Sequence, residues 1–200
     1  MRNFDDLLNF ARKSMTPRLY QRFLKDDPQD HAPSWHEYGL LGHMQSVWVV
    51  AKELTMISQV DIRRIALLHD AGKIRQFGNA VRMRRAGLEP HHAYVGHEHQ
   101  SARIAAQNGM SDMDQRVIAI HHWIYLGAGA TKITDYLLRD QESVKKWLLL
   151  CAADARGKGW TENQKIQKPG LEQIIIEVAG DAGLPPNSPA LELAIEQLKK

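Results

Sequence analysis

The run Ala66-Leu67-Leu68-His69-Asp70-Ala71-Gly72-Lys73 sets a histidine directly before an aspartate at the end of an apolar stretch. Both side chains bind hard or borderline divalent cations. Gly72 is expected to let the backbone turn sharply beside them. Lys73 brings an ammonium within reach of whatever such a cation holds. Other donors share the same apolar setting: His43 upstream, then His97, the pair His121-His122, and Asp154 in Cys151-Ala152-Ala153-Asp154-Ala155-Arg156-Gly157. In chain order they read H…HD…H…H…D. Buried imidazoles and carboxylates are costly unless paired or coordinated. Several helices each turning one such group inward could build a metal site. His43, His69, Asp70 and Asp154 make a mixed N and O set suited to Mn, Fe, Co, Ni or Zn, with positions left for water or phosphate. His97 and His121 would complete a second site bridged by a carboxylate and a hydroxide, giving one or two ions per chain. His121 is preferred to His122 because Val117, Ile120 and Ile124 place it on the apolar face.

The chemistry expected of such a site is hydrolysis of a phosphoester or phosphoanhydride. Metal-bound water loses its proton near pH 7 rather than at 15.7, so hydroxide is available under neutral conditions. Asp70 and Lys73 are the expected catalytic residues. Lys73, with Arg82, Arg84 and Arg85, is expected to meet the charge of the phosphoryl group.

The composition fits this reading. The chain has 200 residues, 44% hydrophobic and 24% charged, with a formal net charge of +3. This is ordinary for a globular protein and only mildly basic, which suits anionic small molecules without demanding nucleic acid. A single cysteine rules out an intramolecular disulfide. Cys151, among Leu148, Leu149 and Leu150, is expected to be a packed core thiol. No apolar run approaches the ~20 residues of a membrane span, and the acidic start Asn3-Phe4-Asp5-Asp6 lacks a signal-peptide core. A cytoplasmic protein with no membrane partner is expected. All ten histidines lie between His31 and His122; His31, His91 and His99 are expected at the surface.

Helical periodicity must position these donors. Phe4, Leu7, Leu8 and Ala11 mark a first helix, and Pro17 opens a second that ends near Leu24. Asp26 to Pro33 reads as a polar loop. Tyr38 to Ser58 repeats apolar residues at helical spacing and turns His43 inward with Val47. Asp61 caps the next helix, which carries His69. Gly72 to Pro90 reads as an excursion rich in arginine. Helix resumes from Tyr94 to Asn108, and again from Ser111 or Asp112 through His122. Thr134 to Ala155 reads as mostly helix, ended by Gly157-Lys158-Gly159. Leu171–Ala179 and Pro189–Leu198 close the chain. Strand-like alternation is nearly absent, so the fold class is all-α in one domain spanning 1–200.

The ordered donors resemble the HD-domain superfamily of metal-dependent phosphohydrolases, over roughly Trp35 to Trp160. Trp35-His36-Glu37…Gly42-His43-Met44, His92…Gly96-His97-Glu98…Ser101-Ala102 and Ala153-Asp154-Ala155-Arg156-Gly157-Lys158 resemble runs in the HD domain of bacterial tRNA nucleotidyltransferases. The resemblance implies an HD-type helical bundle with extra terminal helices. It implies His43, His69, Asp70 and Asp154 as metal ligands, His97 and His121 as second-metal ligands, and Lys73 as a phosphate contact. Only about 34 residues precede the resembling region, so the domain is expected to stand alone, without a nucleotidyltransferase domain. The expected substrate is a small anionic phosphate, a nucleotide or an RNA end, and the expected enzyme a phosphomonoesterase or phosphodiesterase. Two other readings stay open: a di-iron oxygenase of the same fold, and a metal-stabilised nucleotide or RNA sensor without catalysis.

Overall fold

The computed structural model describes residues 1–159 and 161–199, without the side chains of 164 and 167–169. Trp160, the expected end of the resembling region, lies outside the described residues. Among the described residues there is no strand. The chain begins with α1 (Phe4–Ser14) and α2 (Pro17–Leu24). Asn3 accepts from the Asp6 amide at the start of α1, and Thr16 from the Leu19 amide at the start of α2, each satisfying an orphan N–H. A 3-10 turn over Pro28–Asp30 leads to α3 (Leu40–Ser58). The first turn of α3 is held by Asp26, whose Oδ1 accepts from the Gly42 amide at 2.8 Å.

Next come α4 (Arg63–Leu68), α5 (Ala71–Arg85), a 3-10 turn over Pro90–Tyr94, α6 (His97–Gln107), α7 (Asp112–Ala119) and a 3-10 turn over His121–Leu126. The chain ends with α8 (Ala130–Tyr136), α9 (Gln141–Gly157), α10 (Glu162–Asp181) and α11 (Pro189–Leu198). Helix α9 runs through the middle of the bundle, against α3 on one side and α11 on another. Every residue from Trp147 to Ala155 is buried, as expected of a helix apolar on all faces. The Trp147 indole N–H is still satisfied, by the Ile120 carbonyl. Cys151 sits in this core.

Several local expectations need correction. The stretch Gly72 to Pro90 is not an excursion: most of it is α5. Ile74, Phe77 and Val81 recur at helical spacing and are buried, a signal masked by the arginines between and after them. Gly72 does not turn the chain. It is helical, and a Cβ there would overlap the His97 carbonyl oxygen, so its role is to let α5 close on α6. Gly157 does the same for α9 against Val47 of α3. Asp26 to Pro33 is not simply a polar loop, because Asp30, His31 and Ala32 are buried. Helix α4 is capped at Ile62, with Asp61 one residue outside accepting from the Arg63 amide. Helix α7 ends at Ala119, before the paired histidines. The expected helix from Thr134 breaks at Leu138 and Arg139, whose φ values are 56° and 51°.

Asp140 restarts the chain after that break. Its Oδ2 accepts from both the amide and the hydroxyl of Ser143, at 2.8 and 2.6 Å. These bonds hold its carboxyl below the usual range. A carboxylate with a lowered native pKa adds stability above its unfolded pKa of about 3.9, and that stability fades as pH falls through the native value. Losing this helix cap in Asp140→Ala is expected to cost ~1 kcal/mol at pH 7. Urea unfolding at pH 7 and at pH 3 should show the gap narrowing at the lower pH.

Candidate metal centre

Three of the histidines sit where helices stop or start. His69 follows the last residue of α4, His97 is the first of α6, and His121 opens the turn after α7. The C-terminal ends of helices and of the 3-10 turn Pro90–Tyr94 leave backbone carbonyls without partners of their own. Each ring uses the carbonyl three residues back: His69 Nδ1 to Ala66 O at 2.7 Å, His97 Nδ1 to Tyr94 O at 2.8 Å, and His121 Nδ1 to Ile118 O at 2.7 Å. The fourth, His43 in α3, uses Gly157 O at 3.2 Å, which the missing side chain at Gly157 allows to approach. A carbonyl can only accept, so each Nδ1 carries a proton, and in the neutral ring each Nε2 is the nitrogen that presents a lone pair.

Those Nε2 atoms converge on two carboxylates. Asp70 Oδ2 lies 3.3 Å from His43 Nε2 and 3.5 Å from His69 Nε2, and Asp154 Oδ1 lies 3.2 and 3.5 Å from the same two nitrogens. Asp70 Oδ1 turns the other way, 3.0 Å from His97 Nε2 and 3.6 Å from His121 Nε2. Asp70 thus stands between two donor groups and offers one oxygen to each. Donors bound at about 2.0–2.2 Å to one ion lie roughly 3.0–3.6 Å apart at tetrahedral or octahedral angles, the range seen in this cluster.

The cluster fits a divalent cation on a second ground. The Nε2 atoms of His43, His69 and His97 and Oδ1 of Asp70 are buried with no hydrogen-bond partner. Asp70 Oδ2 has the Lys73 ammonium at 2.7 Å as an ion pair but no well-directed hydrogen bond. Orphaned buried donors and acceptors are rare in proteins and call for an explanation. A cation accepting their lone pairs supplies one. His43, His69 and Asp154, and separately His69, Asp70 and His121, have donor atoms close enough to share an ion.

The surrounding charges keep the two carboxylates ionised. Burial alone would raise the Asp70 carboxyl, but Lys73 and the neighbouring histidines outweigh it and hold it well below its ordinary range. Asp154 is likewise held well below its range, with Lys158 opposing the effect of burial. Asp154 Oδ2 also accepts from the Tyr125 hydroxyl at 2.7 Å and lies 3.2 Å from Lys158 Nζ, leaving Oδ1 for the cluster. Burial pushes His97 down. At His43 the two carboxylates overcome burial and raise it.

A cavity of about 550 Å³ opens over the cluster, lined among others by His31, His36, Lys73, Tyr94, Tyr125 and Lys158. Its rim carries Trp35, Trp123 and Leu126. His31, expected at the surface, is fully buried; Lys73 Nζ is 3.4 Å from its Nε2. Burial, and then the Lys73 charge, pushes His31 well below its ordinary value, so the ring is neutral and can accept from the ammonium. His36 packs on His31 with ring centroids 4.1 Å apart. Burial and His31 push it down in turn.

The structure brings together His43, His69, Asp70, His97, His121 and Asp154, with Lys73 beside them. His122 is turned outward: its Nδ1 lies 3.2 Å from Glu98 Oε1, and burial pushes it down to about 4. Arg82, Arg84 and Arg85 are not in the site. Helix α5 carries them roughly 14–18 Å along its axis from Lys73, and none lines the cavity over the cluster. Sequence reasoning missed His31, His36, Tyr94, Tyr125 and Lys158. Lys158, four residues after Asp154, was the one of these with a readable helical spacing.

An all-helical bundle that gathers the ordered donors H…HD…H…H…D around one aspartate defines a class of metal-centred helical domains. The family model of the HD domain matches residues 40–179, and the chain belongs to that family. The matched span runs past position 160 into α10. HD domains form a superfamily of metal-dependent phosphohydrolases. Neither a curated protein nor a solved structure matches the chain. No helix among the described residues is long and apolar enough to cross a membrane.

The geometry gives a graded expectation for metal content. With two donor groups sharing Asp70, elemental analysis after anaerobic loading with iron or manganese should approach two ions per chain. His97→Ala should retain about one, and Asp70→Ala close to none. Circular dichroism should show helix content near wild type for His97→Ala. Two ions retained in Asp70→Ala would show that metal binding does not depend on that residue.

Proposed function

We propose that the chain is a metal-dependent phosphohydrolase acting on a nucleotide or a nucleotide-like phosphate, with Asp70 and Lys73 as its catalytic residues. The observation that carries this reading is the pair of buried ammoniums, Lys73 and Lys158, ion-paired to Asp70 and Asp154 beneath the cavity. With Glu98, which also lines the cavity and is held down at about 2, three carboxylates face two ammoniums, a net charge of −1. Any divalent cation added to the neutral imidazoles leaves the site net positive, so the cavity calls for an anion. A bound divalent ion would polarise a phosphoryl oxygen and supply a readily ionised water. Mn, Fe, Co, Ni and Zn all suit the donors.

The chain's own residues do the rest. Lys73 Nζ is held between Asp70 Oδ2 and His31 Nε2, which fixes an ammonium at the mouth of the cluster without a free rotor. There it can offset charge building on the phosphoryl oxygens. Lys158 Nζ, 3.3 Å from the centroid of the Tyr125 ring, does so from the other side. The cluster itself is nearly inaccessible, from 0% for His43 and His69 to 3% for Asp154. Low solvent access strengthens these charge interactions. Trp35 and Trp123 give the cavity an aromatic wall, and a cavity of this size is within the usual range for small-ligand sites. The motif likeness to the tRNA nucleotidyltransferase HD domain also favours a nucleotide, with an RNA end as a larger variant. The buried lone thiol of Cys151 fits a reducing, cytoplasmic setting.

One observation favours a second reading. The six donors, Asp70 among them and shared between two groups, also suit a redox-active iron pair, and so an oxygenase. A domain that holds metal only to bind nucleotide as a sensor is the third possibility. A screen of nucleoside mono- and triphosphates, 2′,3′-cyclic nucleotides, dinucleoside polyphosphates and short RNA ends, with orthophosphate, nucleotide products and oxygen uptake read together, separates the three. On a substrate found this way, Lys73→Ala should keep its metal and lose turnover by ~10²-fold or more. Oxygen uptake without phosphate release would replace the hydrolase reading. Binding without turnover under every metal would leave the sensor.

A further inference from the structure

The arginines expected at the substrate come together elsewhere. A second cavity, of about 770 Å³, lies between α2 and α5 and shares no lining residue with the one over the metal cluster. Six cations line it, Arg18, Arg22, Lys25, Arg82, Arg84 and Arg85, against two carboxylates, Asp27 and Asp30. The carboxylates are already taken. Arg22 grips Asp30 with Nε and Nη2 at 2.5 and 2.6 Å. Arg84 Nη1 donates to Asp30 Oδ1 at 2.8 Å and to Asp27 Oδ2 at 2.6 Å.

Four exposed cations remain. Arg82 donates to the neutral side chain of Asn79. Arg18, Lys25 and Arg85 have no ion-pair partner among the described residues. Six positive charges less two negative ones leave an excess of four in one concave site. A cleft of one sign focuses the field and concentrates counter-ions. Guanidinium forks match phosphate oxygens two at a time. Leu19 and Val81 give the cleft an apolar floor.

The cleft also touches the metal site through a single strand of backbone. Asp30 lines the cleft, and the next residue, His31, lines the metal cavity and stands against Lys73. The Asp30 carbonyl accepts from the Tyr94 hydroxyl at 2.9 Å, and Tyr94 lines the metal cavity as well. Asp30 is 1% exposed, and stripping partners from a buried charge is strongly destabilising. An anion would therefore engage the four free cations and leave the Arg22–Asp30–Arg84 clamp closed.

We propose that the α2/α5 cleft is a second anion site, for a small ligand carrying several phosphate charges, placed to act on the metal centre through the Asp30–His31 wall. The test is calorimetric titration of the metal-loaded full chain with inorganic tripolyphosphate, with metal content measured before and after. Whatever Lys73→Ala loses at the metal cavity, it should keep the wild type's binding at the cleft, since Lys73 does not line the cleft. The double variant Arg18→Ser/Arg85→Ser should bind about tenfold or more weakly, with a shallower dependence on salt. Both of its changes are on exposed side chains without partners in the fold. Unchanged binding in the double variant, or loss of all binding in Lys73→Ala, would place the anion in the metal cavity and overturn the proposal. Tight binding of a single-stranded RNA oligomer at physiological salt, with no measurable tripolyphosphate binding, would overturn it in favour of nucleic acid. Because the readout is binding, its failure is separate from any failure of the hydrolase reading.

Discussion

The structure depends on a charge that must not be left alone. Asp70 is 1% exposed and enters the bundle at the break between α4 and α5. A carboxylate so buried costs several kcal/mol unless it is compensated. The chain answers with Lys73 one turn on and with imidazoles from α3, α4, α6 and the turn after α7. Each of those rings is anchored by Nδ1 to a backbone carbonyl, so its Nε2 has little freedom to point elsewhere. The positions of the helix ends follow from this need. A histidine in the middle of a helix finds the nearby carbonyls already used; one at a helix end does not.

The same requirement explains the two glycines that matter most. Helix α6 must come close enough to α5 for His97 to reach Asp70, and only a residue without a Cβ at position 72 permits it. Helix α9 must come close enough to α3 for the Gly157 carbonyl to meet His43. Small residues here serve approach rather than turning. Packing sets the distances, and hydrogen bonds set the directions of the lone pairs.

Most of the architecture was legible because helical periodicity is strong where a helix has one wet face. The starts at Phe4 and Pro17 and the final helix over Pro189–Leu198 read directly from caps, prolines and apolar spacing. The six donors were legible for a different reason: imidazoles and carboxylates are conspicuous at apolar helical positions. What was not legible had two causes. In α5 the apolar face is narrow, and Arg75, Arg82, Arg84 and Arg85 dilute it below what a pattern can show. In the segment from Asp26 to Pro33 the composition is that of a solvated loop, yet tertiary contacts bury it. No local signal distinguishes a polar loop on the surface from one folded over a charged centre, so His31 was misplaced.

That misplaced segment is where the two halves of the charge distribution meet. On one side, Arg22 and Arg84 neutralise the Asp30 side chain; on the other, its carbonyl and the neighbouring His31 hold Tyr94 and face Lys73. A loop whose own regular hydrogen bonding is limited to one short 3-10 turn would ordinarily move freely. This one is fixed at both faces by charged groups from α2 and α5. The wall of the metal cavity is therefore only as rigid as the Arg22–Asp30–Arg84 clamp. The ammonium beside Asp70 takes its position partly from residues that lie outside the cavity altogether.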